Sequence, residues 1–129
     1  MSDRRPVRAL VVRPCAAPYV TEIEGPRGNV DVAAAEIIGG RITPVDIGEA
    51  VMLVDRDKRG RLNALATFLV SERGRASVMN ARITGTTVIV GVARGRAVDV
   101  PGETLTWVRG LLDSGPAPRP ASRPGGGRA

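Results

Sequence analysis

The charged turn at residues 55–63 (DRDKRGRLN) is the stretch of this chain whose residue types could do chemistry. Asp55 and Asp57 begin it as a calcium-binding loop begins, and four cations are interspersed among them and the residues that follow. A calcium loop of this kind needs an oxygen ligand at its fifth position and a bidentate glutamate at its twelfth. This chain has Arg59 and Ala66 at those positions. The turn therefore does not predict a calcium site.

The rest of the chain offers few residues for catalysis. It contains no histidine, which removes the usual general base of a nucleophilic triad and the commonest transition-metal ligand. Its single cysteine, Cys15, excludes an intrachain disulfide and a thiolate-rich metal cluster. Carboxylate pairs such as Glu22 with Glu24 are more often solvated charges than an acid and a base. We therefore predict no catalytic residues, no metal and no cofactor, and an enzyme would require carboxylates and arginines to converge in a closed pocket.

Arg-Gly-Arg occurs three times, at residues 59–61, 73–75 and 94–96. Backbone amides beside arginine side chains are able to hold a phosphate. The interpretation that we favour is structural, because each triplet falls at an expected turn and only one of the 19 basic residues is a lysine. Glycine then allows the turns, and arginine is the usual polar residue of the chain.

The charged turn instead predicts a contact surface for a protein partner. Its candidate residues are the cations of the turn, the asparagine that follows them and a threonine one helical turn later. They are Arg56, Lys58, Arg59, Arg61, Asn63 and Thr67. Asn63 is expected to cap the following helix, with a contact role as the alternative, and Thr67 is expected to be exposed. The neighbouring arginines favour an anion or an acidic protein surface as the ligand.

The net charge of +6 gives a second hypothesis. Residues 1–8 contribute +2 and residues 115–129 contribute +3, which leaves +1 for residues 9–114. The basic termini therefore favour weak, salt-sensitive and sequence-independent contact with nucleic acid as the alternative function. The three aromatic residues, Tyr19, Phe68 and Trp107, are too few for a base-stacking platform.

Hydrophobic patterning places the charged turn between a central strand and a helix. Residues 50–54 (AVMLV) are apolar on both faces of a two-residue period, as a central strand is. Leu62, Leu65, Ala66 and Leu69 recur at helical spacing and predict one buried stripe.

Alternation, β-branched runs and turn residues predict four further strands, at residues 7–12, 19–24, 41–47 and 86–92. Pro44 predicts that its strand lies at an edge of the sheet or contains a bulge. Gly91 indicates that another stretch of backbone lies close to its strand.

Two further helices are predicted. One is capped by Asn29, ends at Gly39-Gly40 and buries Val30, Ala33, Ala34 and Ile37. The other opens at Pro101-Gly102 and turns Leu105, Val108 and Leu112 to the core.

These elements predict an α+β fold with a small mixed, partly antiparallel sheet of about five strands and two to three helices. A chain of this length accommodates one domain, which we place at residues 5–114. Residues 76–82 are the least readable segment. Residues 115–129 contain four prolines, four glycines and no large apolar residue, and they predict a disordered tail.

Four consecutive motifs, IIGGRITPV, VMLVDRD, RLNALAT and ITGTTVIVG, resemble a family known as domain of unknown function number 3846. The resemblance runs from about Val7 to Gly91, and its most specific pieces are Gly39-Gly40, Asn63 with Ala66-Thr67, and the strand from Gly85. The family is found in small proteins of actinobacteria, other bacteria and phages. It implies a compact α+β domain encoded among phage or mobile-element accessory genes, with no established activity or cofactor. The family more often has acidic residues in the turn where this chain has RDKRGR.

The sequence contains neither an apolar run of about twenty residues nor a signal-peptide pattern at its start. We therefore expect a cytoplasmic protein. Its predicted function is that of a non-enzymatic accessory domain that binds a protein partner through the charged turn.

Overall fold

The structure, a computed structural model, describes residues 4–26, 29–74 and 82–114. Within these residues six strands and three helices follow one another, and their bounds lie close to the predicted ones. They are β1 (Arg4–Val12), β2 (Tyr19–Pro26), α1 (Asp31–Ile38), β3 (Ile42–Asp46), β4 (Ala50–Asp55), α2 (Ala64–Arg73), β5 (Thr87–Ala93), β6 (Arg96–Val98) and α3 (Gly102–Ser114). The predicted disordered tail and residues 76–81 lie outside the described residues.

The strands form a single sheet in the order β2-β1-β5-β4-β3, and β6 pairs with the second half of β5. The α+β class is confirmed. Each of the five described pairings is antiparallel, so the sheet is antiparallel where a mixed one was predicted. β6 is an additional short strand of three residues that the sequence pattern did not predict.

The central strands are apolar on both faces because both faces of the sheet are covered. One face packs against α2 and α3, with Met52, Leu69 and Ile89 fully buried between them. The other face packs against α1, where Ala34 and Val88 are fully buried. This burial explains why β4 and β5 lack the alternation of a half-exposed strand.

Helix α1 begins and ends close to the predicted residues. Its N-cap position is Val30 rather than Asn29, although the Asn29 side chain still accepts a hydrogen bond from the Asp31 amide at 3.0 Å. Gly39 ends the helix with φ of 90°, a left-handed conformation that glycine adopts without a steric penalty. Val30 and Ala34 are buried, as predicted.

Two predictions about helix faces are wrong in one residue each. Leu62 precedes α2 rather than belonging to it and is 44% exposed. The buried residues of α2 are Ala66, Leu69 and Val70. In α3, Leu112 is exposed, whereas Leu111, three residues after the buried Val108, packs against the core.

Asp99 and Val100, which directly follow β6, are hydrogen-bonded to β1. The Asp99 carboxylate accepts a hydrogen bond from the Arg8 amide at 2.9 Å, and the Val100 amide donates to the Arg8 carbonyl at 2.8 Å. Gly91 makes this arrangement possible, because a Cβ atom there would lie 2.5 Å from the Asp99 carbonyl oxygen. The predicted close backbone approach at Gly91 is confirmed.

Candidate functional site

Three connections meet at one end of the sheet and bring most of the predicted site residues with them. They are the β1–β2 turn, the α1–β3 connection and the β4–α2 turn. We call this region the basic end and define it by its charged residues, which are Arg13, Arg41, Arg56, Lys58, Arg59, Arg61, Asp55 and Asp57.

Asp55 holds the β4–α2 turn in shape. It is only 6% exposed, although an exposed turn of charged residues directly follows it in the sequence. One carboxylate oxygen accepts from the Asp57 amide at 2.9 Å, and the other accepts from Arg59 Nε at 3.1 Å. The Asp55 carbonyl also accepts from the Lys58 amide. A buried carboxylate needs such partners, so Asp55 is a structural residue.

Arg59 connects this turn to the end of α1 by hydrogen bonds. Its Nη2 donates to the Gly39 carbonyl at 3.0 Å, in addition to the bond from Nε to Asp55. The guanidinium lies against Gly40, where a Cβ atom would fall 1.7 Å from Nη2. The structure therefore gives Arg59 a role in the fold, whereas the sequence pattern places it among the neighbouring cations without distinction.

Arg41 and Asp57 form an exposed ion pair, in which both Nε and Nη2 of Arg41 donate to the Asp57 carboxylate. The hydrogen bond from Arg41 holds the pKa of Asp57 below its ordinary value. Arg41 lies outside the predicted turn, and its charge is paired with that of Asp57.

Removing Arg41 is expected to return the pKa of Asp57 towards its ordinary value. Since the folded-state pKa is the lower one, the pair stabilises the fold above the unfolded-state pKa, and this contribution is lost as the pH falls through the folded-state pKa. An NMR titration of the Asp57 carboxyl in wild type and in Arg41→Gln measures the shift. Arg109→Gln, in α3, is the control, and an unchanged Asp57 titration in Arg41→Gln would contradict the pairing.

Asn63 is not available for a partner, because it is 1% exposed and uses its whole side chain within the fold. Its Oδ1 accepts from the Ala66 amide at 3.1 Å, which confirms the predicted cap. Its Nδ2 donates to the carbonyls of Val12 at 3.0 Å and Gly85 at 2.8 Å. The alternative of a contact role for Asn63 does not agree with this burial.

Thr67 is half-buried rather than exposed. Its hydroxyl accepts from the Ile83 amide at 2.9 Å and lies 3.4 Å from the Ile83 carbonyl oxygen. It thus ties the first turns of α2 to the segment before β5, and the predicted exposure of Thr67 is wrong.

Arg56, Lys58, Arg59 and Arg61 are the predicted site residues that stay exposed, and of these Arg59 is bonded to Asp55 and Gly39. Within the described residues, the side chains of Arg56 and Lys58 form neither a hydrogen bond nor an ion pair, and Arg61 makes only a long contact of 3.7 Å with the Cys15 sulfur. That contact brings the β1–β2 turn alongside. Arg13 on this turn donates to the Ala17 carbonyl and lies over the Tyr19 ring, 4.8 Å from its centroid.

A cleft of about 430 Å³ opens between these elements. Pro14 and Ile38 form part of its wall, and Arg59, Arg61 and Thr86 contribute polar groups. The cleft is therefore neither closed nor purely apolar. Its arginines and the free cations around it suit a negatively charged ligand.

Charge is segregated along the sheet. The basic end carries six cationic side chains and two carboxylates, a balance of +4. The remaining described residues carry eight cations and ten carboxylates, a balance of −2. The folded part is therefore nearly neutral in sum, but its charge is unevenly distributed, with the basic end positive and the remaining described residues negative. This distribution arises because three connections meet at one end of the sheet.

The other sequence motifs have structural explanations or lie elsewhere. Arg94-Gly95-Arg96 forms the β5–β6 turn, with positive φ at Arg94 and Gly95, and Gly74 is the C-cap of α2. The described residues of these two triplets lie away from the basic end. Among the residues that the structure describes, no group of histidine, cysteine, aspartate or glutamate is placed to hold a metal ion, and no helix has the length and apolar character needed to cross a membrane.

Comparison of the chain with protein-family models, with curated proteins and with solved structures gives no match. The resemblance to domain of unknown function number 3846 stays a prediction.

Proposed function

We propose that this chain is a non-enzymatic binding protein of the cytoplasm whose basic end contacts an acidic surface of a partner protein. The observation that carries the proposal is the charge segregation described above. Three exposed cations, Arg56, Lys58 and Arg61, lie on one turn, and the two carboxylates nearby are occupied by Arg41 and Arg59. Positive potential on such a surface steers an acidic partner and sets its orientation.

The turn is also held in one conformation before any partner arrives. Asp55, Arg59 and Asn63 fix it to α1, β1 and α2 through the hydrogen bonds described above. A preformed surface loses little conformational entropy on binding. A rigid turn that holds three exposed cations in fixed positions suits a charge-complementary contact.

A protein surface is favoured over nucleic acid by the composition of this region. Apolar side chains of Pro14 and Ile38 line the cleft beside the arginines, which suits an acidic segment that also has apolar residues. The alternative function, nucleic-acid contact through the Arg-bearing termini, rests partly on residues 115–129, which lie outside the described ranges. The accessory role in phages or mobile elements follows from the resemblance alone.

The test is affinity capture from the native host with a variant that removes the free cations and leaves Arg59 in place. The variant is Arg56→Gln, Lys58→Asn and Arg61→Gln, where asparagine is chosen because Lys58 has φ of 55° and asparagine tolerates this region. We expect its partner to be depleted about tenfold, since three exposed charge pairs at roughly 0.5 kcal/mol each sum to about 1.5 kcal/mol.

The matched control is Arg94→Asn, Arg96→Gln and Arg109→Gln. It removes the same charge from exposed residues away from the basic end, and Arg94 has φ of 53°, close to that of Lys58. The control should retain the partner at the wild-type level. Equal depletion by both variants, or by neither, would exclude the basic end, and a partner that disappears on nuclease treatment would establish the nucleic-acid alternative instead.

A further inference from the structure

Two backbone segments, residues 59–61 and 85–86, line the floor of the cleft at the basic end. The Gly85 amide donates to the Arg61 carbonyl at 2.8 Å, which holds the two segments side by side. Glycine permits this close approach, because a Cβ atom at Gly85 would lie 2.9 Å from the Arg59 carbonyl oxygen. The shape of the floor is therefore set by backbone contacts.

Each side of the cleft places an apolar side chain beside an arginine. Arg59 lies beside Ile38, because its Nη2 donates to the carbonyl of the residue that follows Ile38. Arg61 lies beside Pro14, because its Nη1 is 3.7 Å from the sulfur of the next residue, Cys15. Positive charge and apolar surface are thus adjacent within one small space.

The lining of the cleft leaves one positive charge for a ligand. Arg59 is neutralised by Asp55, with Nε and the carboxylate oxygen 3.1 Å apart. Arg61 has no carboxylate partner within the described residues. The Thr86 hydroxyl also lines the cleft and forms no hydrogen bond in the described part of the chain. One free cation and one hydroxyl donor suit a single carboxylate, whereas a phosphorylated side chain carries a charge of about −1.5 to −2.

We propose that this cleft binds the C-terminal residue of the partner protein, with the terminal carboxylate bonded to Arg61 and Thr86 and an apolar side chain against the sides of the cleft. This assignment rests on the proposed function and names the part of the partner that enters the basic end. A C-terminal residue presents its carboxylate and its side chain from the same Cα atom, which matches a cation beside an apolar surface. Capture of a C-terminal carboxylate is a recurrent mode of peptide recognition.

The size of the cleft and the cations around it indicate what precedes that residue. A volume of about 430 Å³ is in the range of pockets that enclose a small ligand, so the cleft takes the end of a chain rather than a helix or a strand. Arg56 and Lys58 are exposed outside the cleft, and they favour acidic residues shortly before the C-terminus. The partner therefore ends in acidic residues followed by one apolar residue.

The experiment uses the full chain and a five-residue peptide, blocked at its N-terminus, with a central glutamate and a C-terminal leucine as the probe. NMR follows the amide signals of Gly60, Arg61 and Thr86 during a titration. The peptide with a free carboxylate should bind at least about tenfold more tightly than the same peptide with a C-terminal amide, because charge-assisted hydrogen bonds are the strong ones. A peptide that ends in glycine should bind about fivefold more weakly than the leucine peptide, since it loses the apolar contact.

Two variants test the groups that hold the carboxylate. Arg61→Gln removes the cation, and Thr86→Val removes the hydroxyl with little change in shape. Each should reduce the advantage of the free carboxylate over the amide by about threefold or more. Arg61→Lys keeps the charge and should retain most of this advantage. Arg109→Gln, on the exposed side of α3, is the control and should leave both affinities unchanged.

An amidated peptide that binds as tightly as the free acid would overturn the inference and indicate an internal acidic segment. An amidated peptide with phosphoserine in place of glutamate that binds more tightly than the free acid would identify a phosphate group as the ligand and overturn it also. So would amide signals that do not move at about 10 mM peptide, which excludes a Kd near 1 mM. In all three cases the proposed function stands if the variant at Arg56, Lys58 and Arg61 still loses the partner in affinity capture. Equal depletion of the partner by that variant and its control would overturn both.

Discussion

Asn63→Ala is expected to destabilise the domain by roughly 2 to 4 kcal/mol, more than the 0.5 to 2 kcal/mol that a helix cap alone contributes. The substitution removes the cap on the Ala66 amide, and it also removes both hydrogen bonds from Nδ2 to the carbonyls of Val12 and Gly85. The Thr87 hydroxyl, 3.4 Å from the Val12 oxygen, compensates in part. Urea unfolding at neutral pH measures the change.

Asn63→Asp separates the cap from the two other bonds. Aspartate is as good a cap as asparagine in an isolated helix, but its carboxylate has no hydrogen to donate to the two carbonyl oxygens. We therefore expect Asn63→Asp to be at least as destabilising as Asn63→Ala at neutral pH. A nearly neutral Asn63→Asp would mean that the cap is the whole contribution of this side chain.

Leu69→Ala is expected to cost about 2 to 5 kcal/mol, through lost burial and the cavity that remains. Leu69 is fully buried between α2 and the sheet, in contact with the larger of the two core clusters. A small domain is stable by about 5 to 15 kcal/mol in total, so this variant approaches the limit of folding. Its free energy of unfolding can be measured by urea unfolding. The dependence of this free energy on urea concentration should be the same as in wild type if both proteins unfold in two states.

Two leucines of the same helix region serve as controls. Leu65 is half-buried and should lose less than Leu69, and Leu62 is 44% exposed and should change stability by no more than about 0.5 kcal/mol. The predicted buried stripe treated all three alike. Equal losses at Leu62 and Leu69 would contradict the burial that the structure gives them.

The secondary structure was largely predictable because its signals are local. The β-branched run of β5, the two glycines after α1 and the asparagine before α2 each act within a few residues. The direction of strand pairing is different, since it depends on how distant segments meet. Short turns predicted antiparallel pairing only for the first strands, and nothing in the pattern of β5 indicated its position between β1 and β4.

The candidate site was predictable in its place but not in the roles of its residues. Arg59 and Arg61 are the same residue type two positions apart. Only the bonds of Arg59 to the Gly39 carbonyl and the Asp55 carboxylate distinguish it, as a structural residue, from Arg61. Asn63 donates to a carbonyl 51 residues away, which local sequence does not encode. Arg13 also reaches the basic end through a contact that local sequence does not encode, because it lies on the β1–β2 turn, far along the chain from the β4–α2 turn.

The strand order has a consequence for how the chain folds. β1 precedes the other strands of the sheet along the chain, yet its inner partner is β5, and the Val12–Thr87 contact spans 75 residues. Loop closure over such a distance costs entropy before any contact compensates for it, and folding slows as contacts become less local. The N-terminal hairpin must therefore keep its apolar inner edge unpaired until nearly the whole domain has been made, which leaves the nascent chain open to aggregation for most of its synthesis.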